Sequence, residues 1–76
     1  MTKAVEFMIG KANWNIMEAE YKIGELKEKI AKELEASVTD AEAIARWAMR
    51  LSSEQQRLRE NKEQLEILQT MADQEA

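Results

Sequence analysis

Residues 12–33 read ANWNIMEAEYKIGELKEKIAKE and belong to a segment in which an isoleucine recurs at every seventh position. The isoleucines of this series are Ile9, Ile16, Ile23 and Ile30. Four more apolar residues alternate with them at spacings of three and four: Val5, Ala12, Ala19 and Leu26. This spacing is typical of a coiled-coil seam, so we predict one helix over about residues 3–36.

A second segment repeats the seven-residue interval further along the chain. Its seam positions are Ile44, Leu51, Leu58 and Leu65. The intervening stretch SVTDAEAI contains Thr39 followed by Glu42, which is typical of a capping box at the start of a helix. Asp40 adds negative charge near the positive end of the helix dipole. We therefore predict a turn at about 37–39 and a second helix over about 40–73.

Folding the chain back at Ser37 aligns the two seams in antiparallel orientation. The facing pairs are then Ile30 with Ile44, Ile23 with Leu51, Ile16 with Leu58, and Ile9 with Leu65. Two intermediate layers are half-polar, because Ala19 faces Glu54 and Ala12 faces Asn61. These two polar residues either lean into solvent or point to a shared interface that fixes the register. A single uninterrupted helix is the rival interpretation, but the cap and the register indicate the same turn.

The first helix also carries a second apolar stripe with a seven-residue interval. Its members, called the aromatic stripe below, are Phe7, Gly10, Trp14, Met17, Tyr21 and Gly24. At about 100° per residue, the stripe lies roughly 150° around the helix from the isoleucine seam. A helix that packs on one side only should be polar on the other side. We therefore predict that these six residues form a protein interface, in which the glycines allow another backbone to approach closely.

Three interpretations of the aromatic stripe remain open. It completes the core of a homodimeric four-helix bundle, it docks a different protein, or its aromatic residues are exposed without a role. The second helix offers further apolar surface in AEAIARWAMRL, where Ala45, Ala48 and Met49 lie outside the seam. The predicted fold is all-α: a single two-helix antiparallel coiled-coil hairpin that dimerises into a four-helix bundle.

The composition excludes most catalytic classes. The 76 residues include no His and no Cys, so the chain lacks the common proton shuttle near neutrality and a thiol nucleophile. Two isolated glycines cannot form a phosphate-binding loop. The many carboxylates are not accompanied by the Glu-x-x-His pairs of a di-iron bundle. We expect a protein that is not an enzyme and that binds neither a metal nor a cofactor.

The charge pattern makes nucleic acid an unfavoured partner. The net charge is −4, from 11 basic and 15 acidic residues. Arg46, Arg50 and Arg57 do share one line of the second helix and would track phosphates there. The alternative interpretation is that they pair with carboxylates of the first helix.

The sequence also indicates where the protein resides. No apolar run approaches the roughly 18 residues that a membrane span needs, and the N-terminal segment lacks the apolar core of a signal peptide. We therefore expect a soluble cytoplasmic protein without a membrane partner, which would occupy the host cytoplasm if it is phage-encoded.

In architecture the chain resembles secretion-apparatus co-chaperones, assembly scaffolds and phage- or plasmid-encoded inhibitors, which are small acidic helical hairpins. The resemblance is one of architecture, and no motif places the chain in one family. It implies a module that acts as a regulator, inhibitor or adaptor by binding another protein, itself, or both. The alternatives are a structural or co-chaperone subunit of a larger assembly and, least favoured, a nucleic-acid-binding bundle.

Overall fold

The computed structural model describes residues 2–75 and consists there of two α-helices that form an antiparallel hairpin. Helix α1 spans Lys3–Glu35 and helix α2 spans Ala41–Glu75, where the sequence indicated about 3–36 and 40–73. The hairpin measures 59 × 14 × 14 Å. Its two shorter dimensions are equal, as expected when two helices wind around each other instead of lying flat. The predicted all-α helical hairpin is confirmed.

The contact between the helices follows the predicted seam. Helix α1 buries five seam residues: Val5, Ala12, Ala19, Ile23 and Leu26. Helix α2 buries Ala43 and Leu68, and its seam residues at 44, 47, 51, 58 and 65 are half-buried. Two helices leave both flanks of a seam open to solvent, which explains why many large seam side chains remain partly exposed.

Hydrogen bonds across the hairpin define the register. Asn15 Nδ2 donates to Asn61 Oδ1 at 3.3 Å, and Arg57 Nη2 donates to Asn15 Oδ1 at 3.0 Å. Both pairs lie within two residues of the alignment that places Ile16 opposite Leu58. The antiparallel register predicted from the two heptad series therefore agrees with the side-chain contacts.

The N-terminal cap of α2 differs from the prediction by one residue. Asp40, not Thr39, is the cap, because Asp40 Oδ1 accepts a hydrogen bond from the backbone N–H of Ala43 at 3.1 Å. The predicted capping box of Thr39 and Glu42 is therefore wrong. The carboxylate of Asp40 satisfies an unpaired amide and also places negative charge at the positive end of the helix dipole.

The end of α1 is connected directly to this cap. The backbone N–H of Ala36 donates to the carbonyl of Glu33 at 3.2 Å, and Ala36 adopts an extended conformation with φ −66° and ψ 145°. The side chain of Glu33 then accepts from the backbone N–H of Asp40 at 2.8 Å. No residue in the described part of the chain has a positive φ, so the chain reverses without the glycine that ends many helices.

We predict that Asp40→Ala lowers the free energy of unfolding by about 1 kcal/mol, because the amide of Ala43 loses its acceptor. Thr39→Ala is the matched control and should change the same quantity by less than about 0.5 kcal/mol. Urea denaturation followed by circular dichroism measures both. Equal losses in the two variants would show that Asp40 has no special role in the turn.

Candidate interaction surface

The aromatic stripe of α1 lies on the outer surface of the hairpin. The side chains of Phe7, Trp14, Met17 and Tyr21 are between 60% and 71% exposed. On the opposite side of the same helix, Ala19 is fully buried. Helix α2 therefore covers one side of α1 only. Single exposed apolar residues are normal on a protein surface, but four large ones in a line are an unusual concentration.

Gly10 and Gly24 lie on the same line, and the hairpin contains no physical requirement for either. A Cβ atom added at either position meets no other atom within 4 Å. Neither glycine has a positive φ. Each still costs the helix about 1 kcal/mol relative to alanine. Packing of a second molecule against the glycines, by its backbone or by a large side chain, would explain both residues, whereas packing within the hairpin does not.

A polar cluster bridges the helices at the two half-polar layers of the seam. Arg57 Nη1 donates to Glu18 Oε1 at 3.0 Å and lies 3.5 Å from Glu54 Oε2. Asn61 Nδ2 donates to the backbone carbonyl of Arg57 at 2.8 Å, and its Oδ1 accepts from Asn15. The contact of Asn61 with Asn15 across the hairpin supports a role in register for Asn61, whereas Glu54 contacts Arg57 of its own helix.

Glu18 is the carboxylate of this cluster that interacts with the largest number of donor groups. It accepts from Arg57 and also from Lys22, whose Nζ lies 3.2 Å from Glu18 Oε1. The hydrogen bond from Arg57, followed by the one from Lys22, holds the pKa of the Glu18 carboxyl below its ordinary value of 4.5. About a quarter of each side chain in the Arg57–Glu18 pair remains exposed, so solvent screens the interaction.

The three arginines of the predicted line have different surroundings in the structure. Arg57 is engaged by carboxylates, in agreement with the alternative interpretation of this line. Arg46 and Arg50 are exposed, and among the side chains of residues 2–74 no ion pair joins either of them to a carboxylate. An open groove of about 640 Å³ beside Arg50 has a mixed lining that includes Lys22, Lys29, Glu25, Glu54 and Met49. This lining differs from the continuous basic face that binds a phosphate backbone.

One apolar surface was missed by the sequence analysis. Met8, Ile67 and Met71 are exposed at the end of the hairpin that holds both termini. They line a shallow groove of about 450 Å³ together with Leu68, Glu60, Glu63 and Gln64. The sequence feature that could have revealed this surface is the four-residue interval between Ile67 and Met71. It places both residues on one side of α2 and outside its seam.

The described residues contain little that would support other kinds of site. Among the side chains of residues 2–74, no three acidic groups lie close enough together to hold a metal ion. In the same range, neither helix has a stretch long and apolar enough to cross a membrane. No family model, curated protein or solved structure matches the chain. What the chain does must therefore be inferred from its own surfaces.

We predict that acidification destabilises the wild-type hairpin more than the Glu18→Gln variant. The folded-state pKa of Glu18 is lowered, so its charge stabilises the hairpin above pH about 4.5, and this contribution is lost as the pH falls through the folded-state pKa. Urea unfolding between about pH 6 and pH 3 measures the effect.

Glu25→Gln is the control for this experiment, because it removes a carboxylate one heptad further along and outside the cluster. It should keep the pH dependence of the wild type. If Glu18→Gln shows the same pH dependence as the wild type, the cluster does not stabilise the ionised form of Glu18.

Proposed function

We propose that this chain is a non-enzymatic protein-interaction module and that the aromatic stripe of α1 is its contact surface. The main support is the exposure of four large apolar side chains in a line that extends over about 21 Å. Covering apolar surface contributes roughly 25 cal/mol per Å². Trp, Tyr, Phe and Met are also the residue types enriched at the centres of protein interfaces.

The hairpin presents these residues in a preorganised form. Helix α1 is continuous over 33 residues, and the seam with α2 fixes its opposite side. The contact residues therefore keep their relative positions before binding, which lowers the entropy lost when a complex forms. A stripe on a disordered segment would have to be ordered at the moment of binding.

In this proposal the module acts as a regulator, inhibitor or adaptor that captures a protein and holds, blocks or positions it. A second candidate is a structural or co-chaperone subunit of a larger assembly. The groove lined by Met8, Ile67 and Met71 favours the second candidate, because open-ended assembly requires a contact surface in addition to the stripe.

We predict that Trp14→Glu weakens capture of the native binding protein by about 30-fold or more, because a charge would be buried at the centre of the contact. The hairpin itself should fold normally, since Trp14 is 60% exposed in it. The wild-type protein and the variant are immobilised and exposed to extract from the native source, and mass spectrometry identifies the proteins retained.

Met49→Glu is the matched control, because Met49 is 72% exposed on α2 and the substitution introduces the same charge. It should retain the same proteins as the wild type. Retention of that same set by Trp14→Glu would rule out the stripe as the contact surface. Light scattering then separates the two candidates, since a closed small oligomer favours a regulator and open-ended growth favours a subunit.

A further inference from the structure

We infer that a second copy of this chain covers the aromatic stripe, through an antiparallel two-fold pairing of the α1 helices centred between Asn15 and Ile16. This inference rests on the proposed function, because it concerns the same surface and names what binds there. The stripe is palindromic in spacing: positions 7, 10, 14, 17, 21 and 24 are separated by three, four, three, four and three residues in either direction. An antiparallel copy therefore places every stripe residue opposite another stripe residue.

This pairing combines large side chains with small ones. Phe7 faces Gly24 of the second copy, Tyr21 faces Gly10, and Trp14 faces Met17. Each glycine thus lies opposite an aromatic ring. The open space beside each glycine, where an added Cβ meets nothing within 4 Å in the hairpin, receives that ring. At the centre, the thioether of Met17 meets the indole of Trp14, which is a favourable contact between sulfur and an aromatic ring.

The charges beside the stripe match in the same register. Three pairs of opposite sign approach across the interface: Lys3 with Glu28, Glu6 with Lys27, and Lys11 with Glu18. Among the described residues, Glu18 and Glu28 are the members of this set that already form an ion pair in the hairpin. The Glu28–Lys32 pair is highly exposed and therefore weak, so Glu28 can exchange its partner at little cost.

Other alignments of the two α1 helices bring less compatible side chains together. A parallel pairing places Trp14 against Trp14, leaves Gly10 opposite Gly10 without a side chain between them, and brings Lys3 near Lys3. An antiparallel pairing shifted by one heptad places Gly10 opposite Glu28 and brings Glu20 beside Glu20 of the second copy. Like charges at these positions disfavour both alternatives.

The position of the stripe determines the shape of the dimer. Since the stripe lies roughly 150° from the seam, the second copy attaches almost directly opposite α2. The four helices then form a nearly flat layer, in the order α2, α1, α1, α2. In a closed four-helix bundle, which the sequence analysis predicted, each helix has two neighbours at about 90° from one another. The inferred flat dimer therefore differs from that prediction.

Cross-linking tests the orientation and register, and the natural absence of cysteine makes single-cysteine variants unambiguous. Glu6→Cys and Lys27→Cys variants are mixed and treated with a thiol cross-linker that spans about 10 Å. Both substitutions leave the stripe intact. We expect the mixed product to exceed either product formed between identical variants. A dominant Glu6→Cys homodimer overturns the inference in favour of a parallel pairing. A Glu20→Cys variant is treated with the same cross-linker by itself, and a yield of its homodimer above that of the mixed Glu6→Cys/Lys27→Cys product overturns the inference in favour of the shifted register.

Sedimentation equilibrium tests the size matching. Gly10→Leu should raise the dissociation constant of the dimer at least tenfold, because the leucine occupies the space of the Tyr21 ring. Helicity should not decrease, since leucine is the better helix former and no atom lies within 4 Å. Ala31→Leu is the matched control: Ala31 continues the line of the stripe beyond the region where the two helices overlap, so association should be unchanged.

The exchange variant Gly10→Tyr/Tyr21→Gly provides a rescue. It restores a ring opposite a glycine and should associate more tightly than Gly10→Tyr alone. Association of Gly10→Leu at the wild-type level overturns the inference, as does disruption by Ala31→Leu.

The outcome for the wild-type chain distinguishes this inference from the proposed function. A chain that stays monomeric up to about 1 mM overturns the inference alone, provided that Trp14→Glu still abolishes capture of another protein. If Trp14→Glu alters neither self-association nor capture, both are overturned.

Discussion

The seam between α1 and α2 is the contact on which the other features of this protein depend. It runs along the whole of α1, and its most enclosed positions on this helix are the alanines Ala12 and Ala19. Helices in proteins gain most of their stability from packing of an apolar side and less from intrinsic propensity. By occupying one side of α1, the seam keeps this helix continuous across Gly10 and Gly24 and turns the opposite side outward. The aromatic stripe is a surface of fixed shape only because the seam is formed.

The polar cluster around Arg57 gives this seam its register. A purely apolar heptad repeat would permit slippage by one heptad, because similar side chains recur at each step. In the observed alignment, Arg57 reaches Glu18 and Asn15, and Asn15 reaches Asn61. A displaced alignment would leave these partly enclosed groups without partners. Each hydrogen bond adds only about 0.5–1.5 kcal/mol to stability, so the larger effect of the cluster is to disfavour the wrong alignments.

The sequence predicted the helical hairpin because a repeat of seven residues requires a partner helix, and a turn signal lay at the midpoint of two such repeats. It misplaced the cap because Thr39 and Asp40 are both residue types that cap helices, and the choice between them depends on the path of the turn, which Glu33 fixes through its contact with Asp40. For Arg57, the sequence analysis offered pairing with carboxylates of the first helix as an alternative, but it did not identify the carboxylate. A long side chain can reach several of them. The exposure of Trp14 followed from its angular position on α1. For the self-pairing that we infer, the palindromic spacing of the stripe is the part of the sequence that indicates the partner.

The central claim is that the outer side of α1 is covered by protein in the working state of the molecule. The fluorescence of Trp14 in a Trp47→Phe variant measures this directly, because Trp14 is then the only tryptophan. As the concentration rises from about 1 μM to about 1 mM, the emission should move to shorter wavelength and quenching by acrylamide should decrease. An emission spectrum and quenching rate typical of a fully hydrated indole throughout this range, and also in the presence of extract from the native source, would contradict the claim.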